Sequence, residues 1–218
     1  GMPSMPTYNS LRKFIPTAES TANVNSPIFP LDSIWAEHGA WDVSNYCYRS
    51  YDNAIRTMFG DPKTAKEYAD NAQFLSADGY RAMFEAANHR MWDITSGVMI
   101  WKINSCWPDV CWQIYDWYLA PNASYYFAKK AMEPVHVQLN ANDFRVSVIN
   151  ASHQTLQDVK VTAKVINNDM EVAWEDSQRI TVSPDCYQEI VTVPRCGKYS
   201  YNYFVKLELH DKYGKLLS

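Results

Sequence analysis

Trp101, Lys102, Asn104 and Trp107 stand together in the stretch 97–112, GVMIWKINSCWPDVCW. Aromatic rings of this kind fill cores, and they also stack on the apolar faces of sugars. A second group, Trp35, Glu37 and His38, brings an aromatic ring, a carboxylate and an imidazole within four residues. A histidine among aromatics is more often a hydrogen-bonded structural residue than a catalyst. Glu37 has no second carboxylate at a specified position beside it, so an acid–base couple cannot be read from that group alone. Asp116, in Tyr-Asp-Trp, reads as a local cap or pair.

The element that must position the first group is an apolar run. Val98, Met99, Ile100, Trp101 and Ile103 follow Gly97 and are ended by Asn104-Ser105 and Trp107-Pro108. A short, β-branched and aromatic run bounded by such punctuation predicts a strand at about 97–104, buried on both faces. Strands of that kind belong to parallel sheets covered by helices. This one would deliver Trp101, Lys102, Asn104 and Trp107 to its C-terminal end, the end that carries the chemistry in α/β barrels.

Around that run the spacing predicts helices. A short one over 8–14 is capped by Thr7 and ended by Pro16, and another covers 43–59 and is stopped by Gly60. After Asp61-Pro62, apolar residues recur at three- and four-residue intervals over 64–93, with Gly79 as a candidate bend, and a last helix covers 122–131. Residues 17–30 read as a surface loop, and 31–41 as loop or short helix. Past Met132 the pattern changes to alternation, over 135–139, 144–149, 159–165, 180–182, 187–193 and 204–209. Short alternating runs separated by Asn, Asp, Ser and Gly turns predict an antiparallel β-sandwich. The few residues after the turn at 211–214 are too short for a full closing strand, so an exposed sheet edge is expected.

Composition narrows the function. The chain has 218 residues, 47% hydrophobic and 20% charged, which fits one or two globular domains and argues against disorder. A net charge of −4 gives no reason to expect nucleic acid or an acidic membrane surface as partner. No apolar run reaches the roughly 18 residues of a membrane helix. Five cysteines are an odd number, so at least one lacks an intrachain partner; Cys186 and Cys196 could close a loop, or stay free buried thiols. No His/Cys spacing suggests zinc, and no cofactor is implied. Asn122-Ala-Ser and Asn150-Ala-Ser match the glycosylation sequon, a pattern common by chance.

The run 97–140 closely resembles the segment that joins the catalytic barrel to the following sandwich in glycoside hydrolase family 2, in the branch of β-mannosidases, exo-β-glucosaminidases and endo-β-mannosidases. The resemblance rests on Trp-Lys-x-Asn, Trp-Pro, Tyr-Asp, Tyr-Tyr-x-Ala-Lys-Lys and Glu-Pro-x-His-Val-Gln, and it weakens before residue 60 and after about 150. It implies an α+β chain: the helical remnant of the C-terminal end of a TIM (β/α)8 barrel over 1–132, then an immunoglobulin-like sandwich over 133–218 whose last strand is not accounted for. It also implies a retaining enzyme with two catalytic Glu about 5 Å apart. Both are expected outside these residues, the nucleophile on a strand just before Pro3, so no catalytic residue is assigned here and the chain alone is expected to be inactive.

By the same resemblance Trp101 would form the floor under the sugar, followed by a strained or cis peptide. Lys102, Asn104 and Trp107 would sit around the rim, with Trp35 and His38 on a loop lining the cleft. The implied partner is a β-linked saccharide. Exposed barrel and sandwich edges allow a homo-oligomer or strand exchange. The compartment stays open, with a secreted or periplasmic parent compatible. The alternative is a non-catalytic carbohydrate-binding or structural interaction module.

Overall fold

The computed structural model describes residues 3–16, 33–40, 46–195 and 198–218. The chain divides into two units, Gly1–Arg81 with Met99–Lys129, and Ala82–Val98 with Lys130–Ser218. The loop expected over 17–30, Trp41 and Cys196 lie outside the described residues.

The first unit is helical. It holds α1 (Tyr8–Leu11), α2 (Ser33–Trp35) running into a π-type turn (Ala36–Ala40), α3 (Tyr46–Phe59), the first two-thirds of α4 (Ala65–Asn88) and most of α5 (Ala123–Ala131). Tyr48, Tyr51 and Ile55 of α3 and Ala65, Tyr68, Ala69 and Ala72 of α4 recur at helical spacing and share one core with Met5, Leu11, Ile15, Trp35 and Val110. The α4 N-terminus is closed by a capping arrangement. The Glu67 N–H donates to Thr64 Oγ1 at 3.1 Å, and the Glu67 carboxylate reaches back to the Lys63 N–H at 2.8 Å. α4 then runs unbroken past Gly79, where a bend was a candidate, and ends at Asn88, five residues before the expected 93. Gly60 closes α3 at φ +80°, a left-handed conformation that glycine adopts without steric cost.

The second unit is a two-sheet antiparallel sandwich. Its strands are β1 (Val135–Leu139), β2 (Arg145–Asn150), β3 (Leu156–Asn167), β4 (Val172–Val182), β5 (Cys186–Thr192) and β6 (Tyr203–His210). One sheet has the order β1-β2-β5 and the other β4-β3-β6. Period-two alternation sends Val159, Val161, Ala163 and Val165 of β3 inward, where they meet Val137, Val146 and Val148 of the opposite sheet and Leu209 of β6. Residues after β6 turn back on it: the Leu217 N–H donates to Leu209 O at 2.7 Å, and the Leu209 N–H donates to Ser218 O at 2.9 Å.

One expectation is corrected. Residues 97–104 join no strand ladder, and the run is not buried: Met99 is 96% exposed, Trp101 68% and Ile103 60%. A parallel strand needs neighbours to take its N–H and C=O groups. Among the described residues none lies alongside, so the backbone bonds to its own return segment. The Lys102 N–H donates to Trp112 O at 2.8 Å, and the N–H groups of Ile114 and Tyr115 donate to Ile103 O at 3.1 and 2.8 Å.

Candidate functional site

The candidate site lies in the first unit, on the segment from Met99 to Trp112 and the π-type turn at Ala36–Ala40. Trp101 presents its ring to solvent, and the peptide bond from Trp101 to Lys102 is cis. Beside it the Lys102 ammonium donates to Asp109 Oδ2 at 3.0 Å. The Lys102 side chain keeps 28% of its surface exposed, whereas that of Asp109 keeps 5%. Asp109 Oδ1 accepts from Ser105 Oγ at 2.5 Å. The Asp109 carbonyl accepts from Gln113 Nε2 at 2.8 Å, and the Gln113 carbonyl in turn accepts from Ser4 Oγ and Asn122 Nδ2. A buried carboxylate is tolerable only when its oxygens are satisfied in this way.

His38 is fastened to the same segment at two points. Its ring is 2.7 Å from Pro108 O through Nδ1, and because a carbonyl only accepts, Nδ1 is the donor. Its carbonyl accepts the Val110 N–H at 2.9 Å. The imidazole stacks on Trp107 with centroids 5.4 Å apart and packs on Phe14 at 4.9 Å. Gly39 follows at φ +88°, a left-handed conformation that glycine adopts without steric cost; a Cβ there would meet Cys111 Cβ at 3.5 Å, an ordinary contact, so it is the backbone angle that favours glycine.

The structure thus brings Trp101, Lys102, Trp107 and His38 onto one segment and its adjoining turn. Asn104 is exposed there, with its amide donating to Ser105 O at 3.3 Å and its backbone bridged to Tyr115. The Tyr115 phenol is held above its ordinary range, first by its hydrogen bond to Tyr125. Trp35 is placed otherwise: it is fully buried in the core, edge-on to Tyr68 at 6.1 Å, with no exposed face to offer a sugar. Glu37 is exposed on the turn.

Asp109 and Ser105 carry no mark in sequence, since a carboxylate after Trp-Pro reads as a turn residue until its partner is seen. Asp116 is a local cap, with Oδ1 accepting from the N–H groups of Tyr118 and Ala120. Both sequon asparagines are structural. Asn122 is 2% exposed. Asn150 is fully buried, and its amide donates to Gln154 O and Ser183 O at 2.8 Å each. Among the described residues no group of three or more His, Cys, Asp or Glu could hold a metal ion. No helix there is long and apolar enough to cross a membrane. Chemically, the site offers a stacking face and donors, with its one buried carboxylate committed to a lysine.

No family model matches the chain. It is 29% identical, over 228 residues covering 99% of its length, to an exo-β-D-glucosaminidase of Streptomyces avermitilis. It is 30% identical, over 175 residues covering 78% of its length, to a mannosylglycoprotein endo-β-mannosidase of Lilium longiflorum. Its fold matches the crystal structure of the exo-chitosanase of Amycolatopsis orientalis with a TM-score of 0.83 at 25% identity, over 99% of this chain and 25% of that one. The chain spans 24% of the length of the first relative and 18% of the second. Fold and relatives together define a glycosidase homologue. More narrowly, its homologues, which match most of its length, are members of glycoside hydrolase family 2: exo-β-D-glucosaminidases, β-mannosidases and endo-β-mannosidases.

Proposed function

We propose that this chain supplies one wall of the sugar subsite of a retaining β-glycosidase that acts on a β-linked glucosaminide or mannoside. The helical unit is read as the closing part of a TIM barrel, and the sandwich as immunoglobulin-like. The observation that carries the reading is the exposed Trp101 ring next to a half-exposed Lys102 held by a buried carboxylate. Trp101 is the platform under the ring. Lys102, Asn104, Trp107 and His38 stand at its edge, and Trp35 supports them from the core. The two carboxylates of the double displacement come from outside these residues. The relatives named above support the substrate class.

A second reading, a non-catalytic saccharide-binding module, rests on the same exposed Trp101. Calorimetric titration with mannose, glucosamine and chitobiose tests the wall. Millimolar binding that disappears in Trp101→Ala is the expected result. Absence of heat with all three sugars in the wild-type chain would leave the segment a structural element only.

A further inference from the structure

Lys102 and Asp109 form a pair whose two members face different surroundings. Asp109 is inside the wall and Lys102 reaches its surface, with 5% and 28% of their side chains exposed. An ammonium carries three N–H donors. One is given to Asp109 Oδ2 at 3.0 Å. A lysine left to itself on a surface is a solvated charge on a four-carbon stem that samples many rotamers. Here the stem is fixed, and it is fixed from behind.

The residue that fixes it is itself tied down on every side. Asp109 Oδ1 accepts from Ser105 Oγ at 2.5 Å and lies 3.4 Å from the Cys111 N–H. The Asp109 carbonyl accepts from Gln113, which is 1% exposed. The residues on either side bond to His38: Pro108 through its carbonyl at 2.7 Å and Val110 through its N–H at 2.9 Å. The carboxylate therefore has a set position relative to both His38 and the segment bearing Trp101. Donors fixed before a ligand arrives cost less ordering on binding.

We propose that Asp109 is the positioning residue of this wall, holding the Lys102 ammonium beside the Trp101 face so that Lys102 donates to a hydroxyl of the bound sugar. This rests on the sugar-wall reading. It adds a specificity: the position read by Lys102 takes an oxygen, since an amino group protonated at neutral pH would meet a like charge there.

The test follows the reactivity of Lys102 toward N-succinimidyl acetate, read by peptide mass spectrometry against the exposed Lys63 and Lys160 as internal references. In the wild-type chain Lys102 is expected to react more slowly than both. Asp109→Asn should raise its rate by about fivefold, the upper end of what a partly exposed ion pair yields, with the reference lysines unchanged. Saturating methyl β-D-mannoside should slow Lys102 in the wild type and leave it unaffected in Asp109→Asn. If circular dichroism shows Asp109→Asn misfolded, Ser105→Ala decides, because it loosens the carboxylate and keeps its charge; an intermediate rise in Lys102 rate is then expected. An unchanged Lys102 rate in the folded variant overturns the positioning role whatever the sugar does. Faster Lys102 in the variant without sugar protection in the wild type leaves the ion pair intact but removes the sugar wall, and with it this proposal.

Discussion

Tyr48, Tyr51 and Tyr68 place three phenols in one helical core, and that decides how the protein meets alkali. Each is pushed above its ordinary range, first by burial, which disfavours the phenolate. Tyr51 also donates to the Ala72 carbonyl, with Ser76 Oγ as second partner. A raised folded-state value means that the folded chain keeps its protons after the unfolded chain begins to lose them, near pH 10. The stability tied to these groups is thus fully present below that pH. It falls as pH rises toward the folded-state values, by about 1.4 kcal/mol per pH unit for each phenol. Urea midpoints measured between pH 8 and 11 should hold level and then drop steeply, and Tyr48→Phe should make the drop shallower. A level midpoint through pH 11 would show that these phenols ionise freely in the folded state. The sequon asparagines give a second expectation at this scale. Asn150 accepts the Ser152 N–H and hydroxyl through Oδ1 and spends its amide on two carbonyls, so the folded chain has no room for a glycan there. Material secreted from a glycosylating host should show the unmodified mass at Asn122 and Asn150, and a glycan on folded protein at either residue would contradict the packing.

Among elements, the strands show what a sequence discloses and what it hides. β1, β2, β3, β5 and β6 were legible because alternation marks a strand with one face in a core. β4 was legible only at its end, 180–182, because 172–179 reads VAWEDSQR. β4 is an edge strand with mostly exposed or half-exposed residues, and charges on such an edge discourage further pairing. Residues 97–104 show the opposite limit. Their apolar run predicts a buried strand, but apolar composition specifies a preferred environment, and a ladder also needs neighbouring strands. The site was legible in part for the same kind of reason. Trp101, Lys102, Asn104 and Trp107 are contiguous, whereas the Lys102–Asp109 and His38–Pro108 contacts depend on how the segment and the π-type turn close, which no spacing rule encodes. The sandwich core itself is testable. Leu209 is fully buried on β6, and Leu209→Ala should cost about 2–5 kcal/mol. Val172→Ala, on the half-exposed start of β4, should stay within about 0.5 kcal/mol. Hydrogen exchange of the β3 amides reads both. Equal loss of protection in the two variants would mean that Leu209 supports the sandwich core no more than an exposed edge residue does.

For the whole molecule, length and chemistry converge on a single prediction. Retaining hydrolysis needs a nucleophile and an acid/base about 5 Å apart, and each must be free to act on the sugar. At the candidate site the buried carboxylate, Asp109, is committed to Lys102 and Ser105, and Glu37 stands exposed on its turn. The chain also spans only about a quarter of the length of the enzymes it resembles. Losing one member of a catalytic set lowers turnover by several orders of magnitude, and losing both leaves binding alone. The 218-residue chain is therefore expected to release no nitrophenol from 4-nitrophenyl β-D-glucosaminide, β-D-mannoside or β-D-galactoside above the protein-free rate, at any pH between 4 and 8. Trp101→Ala and Glu37→Gln should leave that baseline where it is. Turnover in the wild-type chain that vanished in Glu37→Gln would mean that an acid–base group resides in these residues after all, and the wall would have to be redrawn as a complete active site.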